Sequence, residues 1–145
     1  MATITYKDTP QGQTIQTFGY DSGSAMSDIS SNTSAIALSG LNESVTVDGT
    51  GDALIWLFVQ VDVSNAFGTG QHYMTFRITR DGTAVGDELY INMNNNGRAS
   101  GAIAFQQTAA GTFTFGGQGV STTTSGQVDL IDSQIVAIST QNVIA

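Results

Sequence analysis

The sequence has no cysteine, one histidine, one proline and four basic side chains, and each shortage removes a class of chemistry. Without cysteine there is no disulfide, no thiolate metal site and no thiol nucleophile. His72 is the only imidazole, so any Ser–His–Asp arrangement must use it. Ser22, in YDSGS, superficially resembles a nucleophile segment, yet it sits in a low-complexity stretch without the rigid scaffold and oxyanion hole that a triad needs. His72 is read instead as a polar residue at the start of a strand, and an enzyme is not expected. Lys7, Arg77, Arg80 and Arg98 stand against twelve acidic residues, for a net charge of −8. Phosphate backbones are held by clustered cations, so nucleic acid is not an expected partner. The longest apolar run, Ala53 to Val59, falls far short of the roughly 20 residues of a membrane-spanning helix, and no membrane partner is expected. The opening MATITYKDTPQGQ has neither the positive start nor the apolar stretch of a secretory signal, so synthesis in a cytosol is expected.

What is present is a foldable, β-rich chain. Of its 145 residues 40% are apolar and only 11% charged, which separates it from charge-solvated disordered sequences and suits a single domain. Residues 1–33 are rich in Ser, Thr, Gln, Asp and Gly with spaced apolar residues, and read as an N-terminal arm with at most a short strand near Thr14 to Phe18. Tyr6, Ile15, Phe18 and Tyr20 are its candidate anchors on a partner surface. Residues 34–145 read as one domain of short, alternating runs broken by Gly, Asn, Asp and Ser. Expected strands are Ser34–Leu38, Ser44–Val47, Ala53–Val63, His72–Arg80, Thr83–Asn92, Ala99–Gln106, Thr112–Phe115, Gln127–Ile131 and Gln134–Ser139. That number of strands in so short a span implies a β-sandwich or jelly roll. Asp81-Gly82, between two such runs, is the strongest hairpin signal.

Alternation also assigns faces. Met74, Phe76 and Ile78 should point inward and Tyr73, Thr75 and Arg77 outward; Leu89, Ile91 and Met93 should join the core. In Ala53–Val63 the set from Ala53 to Val63 at every second residue is apolar, and so are Leu54, Trp56 and Phe58 on the opposite face. A sandwich strand normally shows one face to water, so the N-terminal arm or a neighbouring subunit should cover Trp56 and Phe58, unless a bulge turns Trp56 back into the core. Ala102 and Ala104, small and outward, suit close packing of a neighbouring subunit beside them.

Other candidate chemistry is weak. Asp87 and Glu88 are adjacent, so on a strand they point apart. Asp129 with Asp132, across an expected turn, and Asp48 with Asp52, in VDGTGD, have oxygen ligands for a hard cation but not the spacing of a calcium loop. Neither metal nor cofactor is expected. GGQG, Gly116 to Gly119, lacks the helix and Lys of a phosphate loop and reads as a plain loop. NMNNNG, Asn92 to Gly97, reads as a polar turn whose amides would suit sugar hydroxyls beside Tyr90.

The order of segments then resembles a known family. The apolar strand ALIWLFVQVDV, the hairpin TFRITRDGTAVGDE, the segment AAGTFTFGGQ and the closing QVDLIDSQIVAIST are similar to the TNF/C1q-like jelly roll, above all as it occurs in bacteriophage virion proteins. The resemblance covers about Ser34 to Ser139 and implies a homotrimer whose outer sheet faces meet around a threefold axis, with Trp56, Phe58, Ala102 and Ala104 at the subunit interface. The chain departs from the C1q relatives in lacking a collagen repeat and from the TNF cytokines in lacking a membrane anchor. The resulting expectation is a structural virion protein, a trimeric decoration or cement protein on the capsid surface that binds the major capsid protein or another virion protein. The alternative is a receptor-binding module of a tail fibre or spike, with Asn94, Asn95 and Arg98 as donors on loops Asn65–Gln71, Asn92–Arg98 and Gln118–Gly126, or another head, neck or tail component.

Overall fold

Asp81 and Gly82 both take positive φ, 49° and 80°, so RDGT closes as the tight turn whose twist matches a right-handed pair of strands. The turn joins β6 (Tyr73–Arg80) to β7 (Thr83–Asn92). Asp81 also ties the hairpin to its other neighbour: its N–H donates to the Thr114 carbonyl at 2.8 Å and its carboxylate accepts from the Thr114 N–H at 2.9 Å. From this hairpin the rest of the sandwich can be laid out.

The computed structural model describes residues 2–8, 12–30, 34–64, 73–92, 97–121 and 127–143, of which 2–8, 12–15, 64, 142 and 143 are described by backbone alone. The remaining strands are β1 (Ala2–Asp8), β2 (Gly12–Ser22), β3 (Ile36–Ala37), β4 (Glu43–Val47), β5 (Asp52–Ser64), β8 (Gly97–Gln107), β9 (Gly111–Ser121) and β10 (Gln127–Val143). Sheet A has the order β1-β2-β10-β5-β8, and sheet B the order β3-β9-β6-β7, with β4 also on β9. Every pairing is antiparallel, and strands distant in sequence lie side by side, as in the jelly-roll form of the β-sandwich. No helix among the described residues is long and apolar enough to cross a membrane.

The core lies between the sheets and, among the described residues, follows the expected alternation; Met93 lies outside them. Ala53, Ile55, Leu57, Val59, Val61 and Val63 of β5 meet Met74, Phe76, Ile78, Ile91 and Phe115 of sheet B, all of them buried. Leu89, Ile103 and Phe105 face the same interior but are half-buried, because β7 and β8 are edge strands with a neighbour on one side only. No register shift interrupts β5, so Trp56 stays on the outer face.

Three segments differ from expectation. Gln127–Ile131 and Gln134–Ser139 form one strand, β10, with a register shift between Leu130 and Asp132 rather than a turn. The extra residue switches the buried positions from Val128 and Leu130 to Ser133, Ile135 and Ala137. GGQG is strand too: β9 runs to Ser121, because side chains across the core occupy the space a Cβ would need. One on Gly117 would stand 2.8 Å from Leu38 Cδ1. Finally, the N-terminal segment carries more than one short strand. β1 and β2 form a hairpin, and β2 pairs with β10 from Gln13↔Val143 to Ser22↔Gln134.

Candidate functional site

The outer face of sheet A is apolar across four strands. Trp56 and Phe58 of β5 project outward with rings stacked at 6.1 Å between centroids and 20° between planes. On one side Ala104 lies opposite Trp56 and Ala102 opposite Phe58; on the other, Val136 lies opposite Trp56 and Ile138 opposite Leu54. β2 extends the rows, with Tyr20 opposite Val136 and Phe18 opposite Ile138. Phe18, Tyr20, Leu54 and Phe58 are 41%, 52%, 38% and 41% exposed, unusual values for large apolar side chains set side by side. Ala102 is exposed, while Trp56, Ala104, Val136 and Ile138 are half-buried. The two sets of residues singled out from sequence, Trp56/Phe58/Ala102/Ala104 and Phe18/Tyr20, thus lie on one surface. The side chains of Tyr6 and Ile15 lie outside the described residues. Leu54, Val136 and Ile138 complete the face; the apolar positions of IVAIS beside the central strand were the available signal.

The lower part of this face changes character. Next to Phe58 the small Ser100, Gly101 and Ala102 leave an open recess of about 450 Å³, rimmed by Gln60, Asp132 and Gln134. Gln134 Nε2 donates to Asp132 at 2.9 Å. The apolar rows therefore end in a polar margin.

On its inner side β2 is fixed by polar contacts. Asp21 accepts from the N–H of Ser22 at 2.9 Å and of Asn42 at 2.7 Å. Glu43 of β4 fills the space over Gly19, where a Cβ would stand 2.0 Å from Glu43 Oε1. Burial, reinforced by the charge of Asp21, raises the Glu43 carboxyl above its ordinary range.

Among the described residues, the remaining candidates are not drawn into a reactive constellation. His72, Asn94, Asn95 and residues 65–71 and 122–126 lie outside the described residues. Ser22 lies opposite Gln134 at the end of β2, Arg98 opposite Asp62, and Gln118 is within β9. Asp48 accepts from the N–H and Oγ1 of Thr50 at 2.8 and 2.7 Å, which lowers its carboxyl below the usual range and explains VDGTGD as a turn. Asp52 instead takes Gln106 Nε2 at 2.5 Å, and Asp129 takes the Asp28 N–H at 2.7 Å. Among the described residues no three His, Cys, Asp or Glu side chains are grouped to hold a metal. Arg77 pairs with Glu88, while Arg80 donates to Gln107 Oε1 at 2.9 Å and lies 5.3 Å from the Phe113 ring centroid, so these two cations sit in intramolecular contacts.

No protein-family model and no curated protein matches this sequence. Among solved structures, the chain is similar to a carbohydrate-binding module (CBM6cm-2) from Cellvibrio mixtus lichenase 5A, solved in complex with cellotriose. The two are 20% identical over 92% of this chain and 84% of that one, with a TM-score of 0.36.

Proposed function

We propose that this chain is a structural virion protein, a decoration protein that assembles through the outer face of sheet A into a homotrimer and ties neighbouring capsid subunits together. The observation that carries the reading is the apolar face itself. Phe18, Tyr20, Leu54 and Phe58 stand exposed in adjoining rows around Trp56, and water is a poor cover for such a surface. The exposed parts of these four side chains come to on the order of 300 Å². That is a substantial share of the roughly 800 Å² each partner contributes to a stable interface, with the flanking aliphatics and polar margin adding to it. The resemblance of the segment order to TNF/C1q-like phage proteins supports three copies as the closed arrangement, and a threefold unit can hold several capsid subunits at once, so that shell expansion must break linked contacts together.

The test is the solution mass of the full chain by light scattering, beside Phe58→Asp. A trimer that falls to monomer in the variant is expected; a monomeric wild type overturns the assembly. Co-sedimentation with shells of the major capsid protein from the same particle tests the second half. Saturable binding at a fixed ratio is expected, and protein left wholly in the supernatant overturns the decoration role.

A further inference from the structure

The outer face of sheet B has a different chemistry. Tyr73 and Tyr90, 39% and 59% exposed, meet with ring centroids 5.3 Å apart at 67°, so that one ring forms a floor and the other a wall. Two residues from Tyr90 along the same strand, Glu88 accepts the Tyr90 hydroxyl on Oε2 at 2.5 Å and Arg77 Nη2 on Oε1. Both bonds lower the Glu88 carboxyl below its ordinary range. Thr75, two residues from Tyr73 on the same strand, lies opposite Tyr90 on one side and Val120 on the other, and Gln118 lies opposite Arg77. The bulge that brings Glu88 beside Arg77 includes Gly86, whose φ of 72° an L side chain would strain.

We propose that this face is a binding site for a neutral saccharide, with Tyr90 as the stacking platform, Tyr73 as the wall beside it and Glu88 as the acceptor of sugar hydroxyls. An ionised carboxylate accepts about four hydrogen bonds. The two made by Tyr90 and Arg77 leave one acceptor position on each oxygen, aimed from a group that is already held in place. A pyranose offers the complement: apolar C–H groups on one face for an aromatic ring, and pairs of hydroxyls at its edge. Arg77 cancels the charge of Glu88, so neither an anion nor a cation meets an unmatched charge in that pair. The two exposed rings cover roughly 200 Å² between them, the footprint of one or two sugar units and far below that of a protein partner. Because the carboxylate and the rings are pre-positioned, little ordering is lost on binding.

The test is a glycan array carrying neutral and charged oligosaccharides, read with the full-length wild type, Tyr90→Ala, Tyr90→Phe and Glu88→Gln. Solution mass and thermal unfolding of each variant report its integrity. Retention of wild type on at least one neutral glycan is expected, with affinity at least tenfold lower in Tyr90→Ala and in Glu88→Gln, a smaller loss in Tyr90→Phe, and an unchanged solution mass. Retention on no neutral glycan, retention confined to sialylated or sulfated glycans, or equal retention by Glu88→Gln overturns the site. If Tyr90→Ala does not fold, Glu88→Gln decides alone. The site is on the sheet opposite the assembly face, so its failure and that of the trimer are separate results.

Discussion

Tyr20 and Trp56 flank the same residue, Val136, on the outer face of sheet A, although 36 positions separate them in the chain. The N-terminal hairpin and the central apolar strand therefore present one surface. If that surface is buried in an oligomer, Tyr20→Ala should weaken association as Trp56→Ala does, each by about tenfold or more, as expected for aromatic anchors near an interface centre. Sedimentation equilibrium over a concentration series reads this directly. An effect of Trp56→Ala with none from Tyr20→Ala would place the edge of the interface at β10.

The hairpin also sets an expectation for truncation. Removing residues 1–8 takes away β1, which among the described strands pairs with β2 alone, and the protein should keep a cooperative thermal transition. Removing residues 1–22 takes β2 as well, stripping a partner from β10 along ten positions and leaving Asn42 N–H without Asp21. That shorter chain should lose its cooperative transition or precipitate. Circular dichroism during heating distinguishes the two deletions; equal behaviour would mean that β2 contributes nothing to the sandwich.

Why the sheet was legible from Ser34 onward but not before it is a matter of which face of each strand meets the core. In β5 and β6 the buried positions are Ile55, Leu57, Met74 and Phe76, and apolar alternation marks them plainly. In β2 the relation is reversed. Its aromatics, Phe18 and Tyr20, point out, while the buried Gly19 and half-buried Asp21 face Glu43 and the backbone of Asn42. A strand whose inner positions are small or polar looks like a linker. The GGQG part of β9 was hidden in the same way, since its glycines are where Leu38, Leu57 and Phe76 pack across the backbone. Trp56 and Phe58 were legible because an apolar residue on the wrong face of an otherwise regular strand is itself a signal. The Tyr73–Tyr90–Glu88–Arg77 group was not, because only the bulge near Gly86 brings Glu88 beside Arg77.

Glu43 gives a pH-dependent expectation. Its folded-state pKa is raised above the ordinary 4.5 by burial and by Asp21, so the native state holds that proton more tightly than the unfolded chain does. The associated stability is fully present below about pH 4.5 and is lost as pH rises through the raised value. Glu43→Gln keeps the shape over Gly19 and removes the charge. It should raise Tm at pH 7 by about 2 °C, with the difference shrinking towards zero as pH falls to 4. A difference that grows on acidification would reverse the assigned sign.

Ser133 tests the bulge in β10. The extra residue between Leu130 and Asp132 moves Ser133 to an inward position, where it is 1% exposed. Its carbonyl accepts the Gly23 N–H at 2.8 Å, but its hydroxyl has no hydrogen-bond partner among the described residues, and a Cβ on Gly23 would stand 2.2 Å from it. A buried hydroxyl without a partner costs about 1–3 kcal/mol relative to solvent, more than the packing lost with one oxygen atom. Ser133→Ala should therefore stabilise the fold by roughly 1 kcal/mol in urea unfolding, with the slope unchanged. Ser133→Val, which adds bulk against Gly23, should destabilise it by about 1–3 kcal/mol through overpacking. If Ser133→Ala is the less stable protein instead, the hydroxyl is bonded in solution, and the bulge holds a polar contact rather than tolerating one left open.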